Sequence, residues 1–256
     1  MTTFDLTPPP VTAPIRPLRL PTLVAVELRK MTDTRSARGV LAGTLGLVVL
    51  ALVWKLTQLH GGTSAFDGFV PATVNIVGVF GPVLGLLAMT SEWTQRTALT
   101  TFTLAPRRLP VIAAKYVAAL LVSLALLAAG LGLTASATAL GGLLADGTTF
   151  AGALGDARGA IVIVLLQVTM AAAFGALIPQ TAGALVAYFV VPIAWGAAAD
   201  AVLGKVAPWF DVFAAYDRLA SDDPWRHLNW TLTAALTFVA LPAAIGTLRS
   251  LRREIK

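Results

Sequence analysis

The chain has 256 residues, 57% of them hydrophobic and only 12% charged, with a formal net charge of +6. A mean hydropathy of +0.78, with charge at half the roughly 25% usual in soluble domains, excludes a soluble globular class and indicates an integral membrane protein. Cysteine is absent and the two histidines, His60 and His227, are far apart, so no disulfide framework and no metal site is expected.

Residues 1–19 hold Pro8-Pro9-Pro10, Pro14 and Pro17 among threonines, which predicts a disordered cytoplasmic tail. The first long apolar run starts near Gly39 and has no small-residue cleavage site, so it reads as a span and not as a signal peptide. From Leu20 to about Arg38, Leu20, Val24, Leu28 and Met31 recur at helical spacing, while Glu27, Arg29, Lys30 and Asp33 are assigned to other faces. A helix divided in this way suits the membrane interface, since a span follows directly; the alternative is a soluble helix packed on its own protein.

Six spans fit the apolar runs, each near the roughly 20 residues that cross the hydrocarbon: 39–59, 70–90, 111–135, 160–178, 183–201 and 230–248. The predicted fold is therefore all-α, residues 20–256 forming a single transmembrane domain. With both termini on the cytoplasmic side, only Lys55, Arg158, Lys205, Arg218 and Arg226 of the nineteen basic residues fall outside, as the positive-inside rule asks. Eight of the thirteen acids, among them Asp67, Asp156 and Asp217, fall on the outer side. Anionic inner-leaflet lipid accounts for the basic balance without any nucleic acid.

The longest polar interval between two spans is Ser91–Lys115. Ser91 and Glu92 suit a helix N-terminus, where a serine oxygen accepts an orphan N–H and a carboxylate complements the dipole. Leu99, Phe102 and Leu104 give a short apolar stripe, Pro106 breaks it, Arg107 and Arg108 follow, and Pro110 opens the next apolar run. The prediction is a short cationic helix lying on the membrane surface, or else a polar loop whose arginines hold it on the cytoplasmic side.

The order Glu92, Thr97, Pro106, Arg107-Arg108, Lys115 between a second and a third span resembles the signature of ABC-2 type permeases, the membrane subunits of ATP-binding cassette exporters. Glu27-Leu28-Arg29-Lys30 with Asp33, Thr34 and Arg35 is similar to the polar helix that precedes the first span in that family. Where the family usually has a glycine before the threonine, this chain has Arg96. The resemblance implies a coupling helix that docks on an ATPase subunit, with Glu92, Thr97, Phe102, Arg107, Arg108 and Lys115 at the contact, Lys115 marking the return into the membrane. It implies an interfacial helix carrying Glu27, Arg29, Lys30, Asp33 and Arg35 that braces this contact. It further implies a second permease copy or a related permease, ATP and Mg on the separate ATPase subunit, and export of an amphiphile: a drug, an antimicrobial peptide or a lipid-like compound.

The remaining features are read from the residues. Gly39 and Gly43, and Gly81 and Gly85, are spaced for close helix approach in lipid, and Pro82 and Pro192 are placed to kink the second and fifth spans. Trp209, Phe213, Tyr216 and Leu219 between the last two spans predict either a short amphipathic helix capping the outer mouth or an aromatic belt. Asn75 and Gln167 sit at membrane depth, where each either bonds across a helix interface or lines a substrate path. No charge falls at the centre of a span, which argues against a proton-coupled carrier or pump. Neither HExxH nor GxSxG occurs, and Gly204-Lys205 is followed by Val206 without the upstream glycine of a phosphate loop, so a transport subunit without its own ATPase site is expected. A channel or secondary carrier, and a membrane scaffold or sensor subunit, remain the alternatives.

Overall fold

The computed structural model describes residues 19–59, 63–95, 108–221, 223 and 225–252. These form α1 (Leu20–Asp33), α2 (Arg35–Thr57), β1 (Ser64–Ala65), α3 (Phe66–Thr94), α4 (Arg108–Leu144), β2 (Thr148–Thr149), α5 (Ala153–Leu177), α6 (Thr181–Leu203), a 3-10 turn (Gly204–Trp209), α7 (Val212–Ala220), α8 (Leu228–Ala235) and α9 (Leu241–Arg252). Six helical stretches are long and apolar enough to cross a membrane: Ala37–Thr57, Phe66–Thr94, Arg108–Leu144, Ala153–Leu177, Thr181–Ala199 and Leu228–Arg252, the last being α8 and α9 run together. The protein is thus an all-α protein of the membrane-spanning type.

Each expected span has its helix, but several ends lie elsewhere. The third span is expected to end near Ala135, yet α4 continues to Leu144, past Thr134, Ser136 and Thr138. Their hydroxyls donate to the carbonyls of Gly130, Gly132 and Thr134, each four residues back, so these side chains are satisfied on their own helix. The entry of α2 is also earlier than expected. Thr34 is extended (φ −76°, ψ 144°) and its Oγ1 accepts from Ala37 N at 3.1 Å, which caps α2 and stops α1 at Asp33. Arg35 and Arg38 therefore belong to the first span's helix and not to the helix before it.

Near Pro242 the last span changes register. Across Leu236–Ala240 the chain makes a π turn, Leu241 N–H reaching Leu236 O. Proline has no N–H to offer the preceding turn, and the wider turn absorbs the gap. At the opposite end of the bundle from α1, β1 and β2 pair in parallel, Ser64 with Thr148 and Ala65 with Thr149. Ser64 Oγ donates to Thr138 O at 3.0 Å, so the loops after α2 and α4 are pinned to each other and to α4.

The helix at the centre is α3, packed against α2, α4 and α5. Val77, Leu84, Val122, Leu126, Leu127, Val164 and Val168 form the main core, and Leu86, Met170, Phe174, Tyr188, Tyr216 and Phe238 a second cluster that draws in α6, α7 and the π turn. Small residues set the closest approaches: a Cβ on Gly246 of α9 would lie 2.5 Å from the Ala176 and Leu177 backbone of α5. Gly81 and Gly85 match the expected close approach, facing Ser123 and Val168, whereas a Cβ on Gly39 or Gly43 meets open space in this chain. Apolar side chains of α2 and α6, such as Leu50, Trp54, Val186 and Ile193, point outward, as lipid-facing helix surfaces do.

The segment between the last two spans is helical as α7, capped by Asp211 Oδ1 on Ala214 N at 3.0 Å. Its buried face is Val212, Ala215 and Tyr216, which keeps Tyr216 of the expected stripe but leaves Phe213 exposed. Trp209 sits in the 3-10 turn and faces Trp230, ring centroids 6.1 Å apart. Arg218 lies over the same Trp230 ring.

Candidate functional site

α1 presents Val24, Leu28 and Met31 to α4, and Glu27 falls within that same stripe because positions 24, 27, 28 and 31 share one helical face. Its carboxylate is consequently buried, with 5% of the residue exposed; the expected placement of Glu27 on another face is corrected. Glu92 is also displaced from its expected role. It lies in the last turn of α3, which runs on to Thr94, so Ser91 and Glu92 close a helix and do not open one. Lys115 lies seven residues along the described part of α4, 4% exposed. It faces the bundle.

These three meet Lys30 in one network. Lys115 Nζ is 3.0 Å from Glu27 Oε2 and 3.2 Å from Glu92 Oε1, and it donates to Ala88 O at 3.1 Å. Lys30 Nζ closes the ring at 2.8 Å from Glu27 Oε1 and 2.9 Å from Glu92 Oε1. Two carboxylates and two ammoniums balance, so the buried group carries no net charge, and the three protons of Lys115 face three acceptors. Lys30 is the member that reaches solvent, its side chain 45% exposed. Loss of hydration alone would lower its pKa, but the hydrogen bonds to Glu27 and Glu92 and their charges outweigh it and hold it above the ordinary 10.5.

Further ties lie around the quartet. Arg108 Nη1 donates to Ser250 O at 2.6 Å, joining the start of α4 to the end of α9. Thr181 Oγ1 is 2.9 Å from both Thr90 Oγ1 and Thr94 Oγ1, joining the end of α3 to the start of α6. Thus both described flanks of segment 96–107 are fastened to neighbouring helices. Thr97, Phe102 and Arg107, expected at the coupling contact, lie outside the described residues, as does Arg96. Arg29, Asp33 and Arg35 are exposed, and the Asp33–Arg38 pair at 3.5 Å is open to solvent and contributes little.

Asn75 of α3 and Gln167 of α5 come together on one groove with Gly78, Phe213, Tyr216 and Asp217, a volume of about 430 Å³. Gln167 Oε1 is buried without a hydrogen-bond partner among the described residues. It lies where a Cβ on Gly78 would stand 2.7 Å away, so glycine at 78 makes room for this amide. Among the described residues no group of three or more His, Cys, Asp or Glu is placed to hold a metal.

No family model, curated protein or solved structure matches this chain. What the quartet does follows from its own geometry. Its four charges are spent on one another. It is a polar clamp between three helices, and removing one partner from a buried ionic group costs about 3–5 kcal/mol. Sequence reading missed Thr90, Thr94, Thr181 and Ser250, which carry no signal in a threonine-rich helical chain. Glu27 and Lys115 each interrupt an apolar stripe with a charge, of opposite sign, but 88 residues apart neither points to the other in the sequence.

Proposed function

We propose that the chain is the membrane-spanning permease subunit of an ATP-binding cassette exporter of the ABC-2 type. It moves an amphiphilic substrate out across the cell membrane, ATP and Mg being bound by a separate ATPase subunit. Both termini and α1 lie on the cytoplasmic side, α1 in the interface. Segment 96–107, with Thr97, Phe102 and Arg107, provides the coupling helix and leads into Arg108 at the start of α4, and a second permease copy or a related one completes the pathway.

The observation that carries this reading is the buried quartet. Glu92 is four residues before the coupling segment and Lys115 eight after it, and both are held by Glu27 of α1 directly or through Lys30. A push delivered to the segment therefore reaches α1, α3 and α4 together, with Ser250 and Thr181 extending it to α9 and α6. A coupling device requires this kind of stiffness where the force enters. A proton relay would require a charge at depth, and among the described residues the middle of each span has none.

The test is purification of the tagged chain from its native membrane in mild detergent, with identification of co-purifying proteins and assay of ATP hydrolysis. A near-stoichiometric partner with a phosphate loop, whose hydrolysis changes on Arg107→Ala/Arg108→Ala substitution, is the expected result. A chain that purifies alone, without ATPase activity, under conditions that preserve other membrane complexes, overturns the reading.

A further inference from the structure

The groove that holds Asn75 and Gln167 does not end at Asp217. It continues along α3 and α5 into a wider part of about 660 Å³, lined by Asp67, Pro71, Gly155, Asp156 and Gly159 among others, and the two parts share Val74, Asn75 and Ile163. This places three carboxylates, Asp67, Asp156 and Asp217, on one continuous surface whose lining, among the described residues, includes no lysine or arginine. Arg158 is the neighbouring base, and its guanidinium donates to Ser221 O at the rim at 2.7 Å. The inner end is of a different character: Gln167 offers a buried acceptor with no partner among the described residues, and Phe213 and Tyr216 supply an edge-to-face aromatic wall with centroids 6.4 Å apart. Among the described residues these carboxylates do not form a group of three placed to hold a metal ion.

We propose that this groove between α3, α5 and α7 is a binding site for a lipophilic organic cation, an ammonium or phosphonium centre with apolar substituents. Spaced carboxylates draw a diffuse positive charge without demanding close ligation, and aromatic faces add cation–π attraction. The apolar walls of Val74, Val79 and Ile163 take the substituents, and the unpaired Gln167 oxygen meets a polarised N–H or C–H edge. A lipid amine headgroup and an exported cation share this chemistry. As an account of what the exporter carries, the site rests on the permease reading; as a binding site it does not.

The experiment is equilibrium binding of radiolabelled tetraphenylphosphonium to the purified full chain in dodecyl maltoside, without ATP, with tetraphenylborate as the anion of the same shape. The expected result is saturable phosphonium binding, tetraphenylborate at least about tenfold weaker, and a loss of about tenfold on Asp217→Asn. Val79→Trp, at an exposed position on the groove wall, is expected to abolish binding without touching a charge. Equal binding of the two ions, or phosphonium binding unchanged in both variants, overturns the proposal. Added phosphatidylethanolamine separates the sources: competition assigns the groove to a lipid amine, and its absence to a carried cation. Because neither ATP nor a partner is present, a negative result leaves the permease reading standing, and a failed co-purification leaves the site standing.

Discussion

Lys115 faces two carboxylates that also share Lys30, so a variant at one position leaves unpaired charge at another. Lys115→Met is expected to lose about 3–5 kcal/mol in denaturation experiments in detergent, while Glu27→Gln together with Lys115→Met loses clearly less than the sum of the two single changes. Strict additivity would show that the four groups do not act as a unit. The pH response follows from Lys30. Its pKa is raised on folding, so its contribution is complete below the unfolded value near 10.5 and fades as pH rises through the folded one. The stability difference between the wild-type chain and Lys30→Met is therefore expected to be flat from about pH 6 to about pH 9 and to shrink above 10.5. Because Lys30 is 45% exposed, added salt should reduce that difference too. A difference that grows with pH in the neutral range would contradict the assignment.

At the scale of the element, all six spans were legible because a long apolar helix announces itself by composition alone. Their ends were not, for a reason that Thr134 and Thr138 make plain: a hydroxyl that bonds back to its own helix looks polar in a sequence and costs nothing in a membrane. Glu27 fails to read for the converse reason. A carboxylate on an apolar stripe has meaning only once its partner is known, and Lys115 is 88 residues away. Close helix contacts were legible only in part, because Gly39 and Gly43 share the spacing of Gly81 and Gly85 but face open space. Gly246 is the element-scale test. A Cβ there would meet the backbone of Ala176 and Leu177 at 2.5 Å, atoms that no rotamer change can move aside. Gly246→Ala is expected to cost about 1–3 kcal/mol, read as a lowered denaturation midpoint, with Gly39→Ala near neutral as control. Equal effects at the two positions would mean that α9 does not seat on α5 as described.

At the scale of the whole molecule, the two ends of the bundle differ in kind. The end with α1 holds the balanced quartet, the Arg108–Ser250 tie and the threonine cluster, whereas the end with β1, β2 and the rim of the groove holds spaced carboxylates. Stiffness at one end and an open polar groove at the other is a division of labour suited to a machine driven from one side. On the proposed orientation the α1 end, with the described bases Arg29, Lys30, Arg35, Arg38, Arg249 and Arg252, faces the cytoplasm, as the positive-inside rule asks. The absence of cysteine makes this directly measurable, because any introduced thiol is the only one in the chain. Thr63→Cys and Asp223→Cys, both at exposed positions of the far end, are expected to react with a membrane-impermeant maleimide on intact cells. Gln95→Cys, exposed at the end of α3, is expected to react only after the membrane is opened. The reverse pattern would turn the molecule over and put the quartet outside, where no cytoplasmic ATPase can reach segment 96–107; labelling of all three on intact cells would mean that the far end and the α1 end are not separated by a membrane at all.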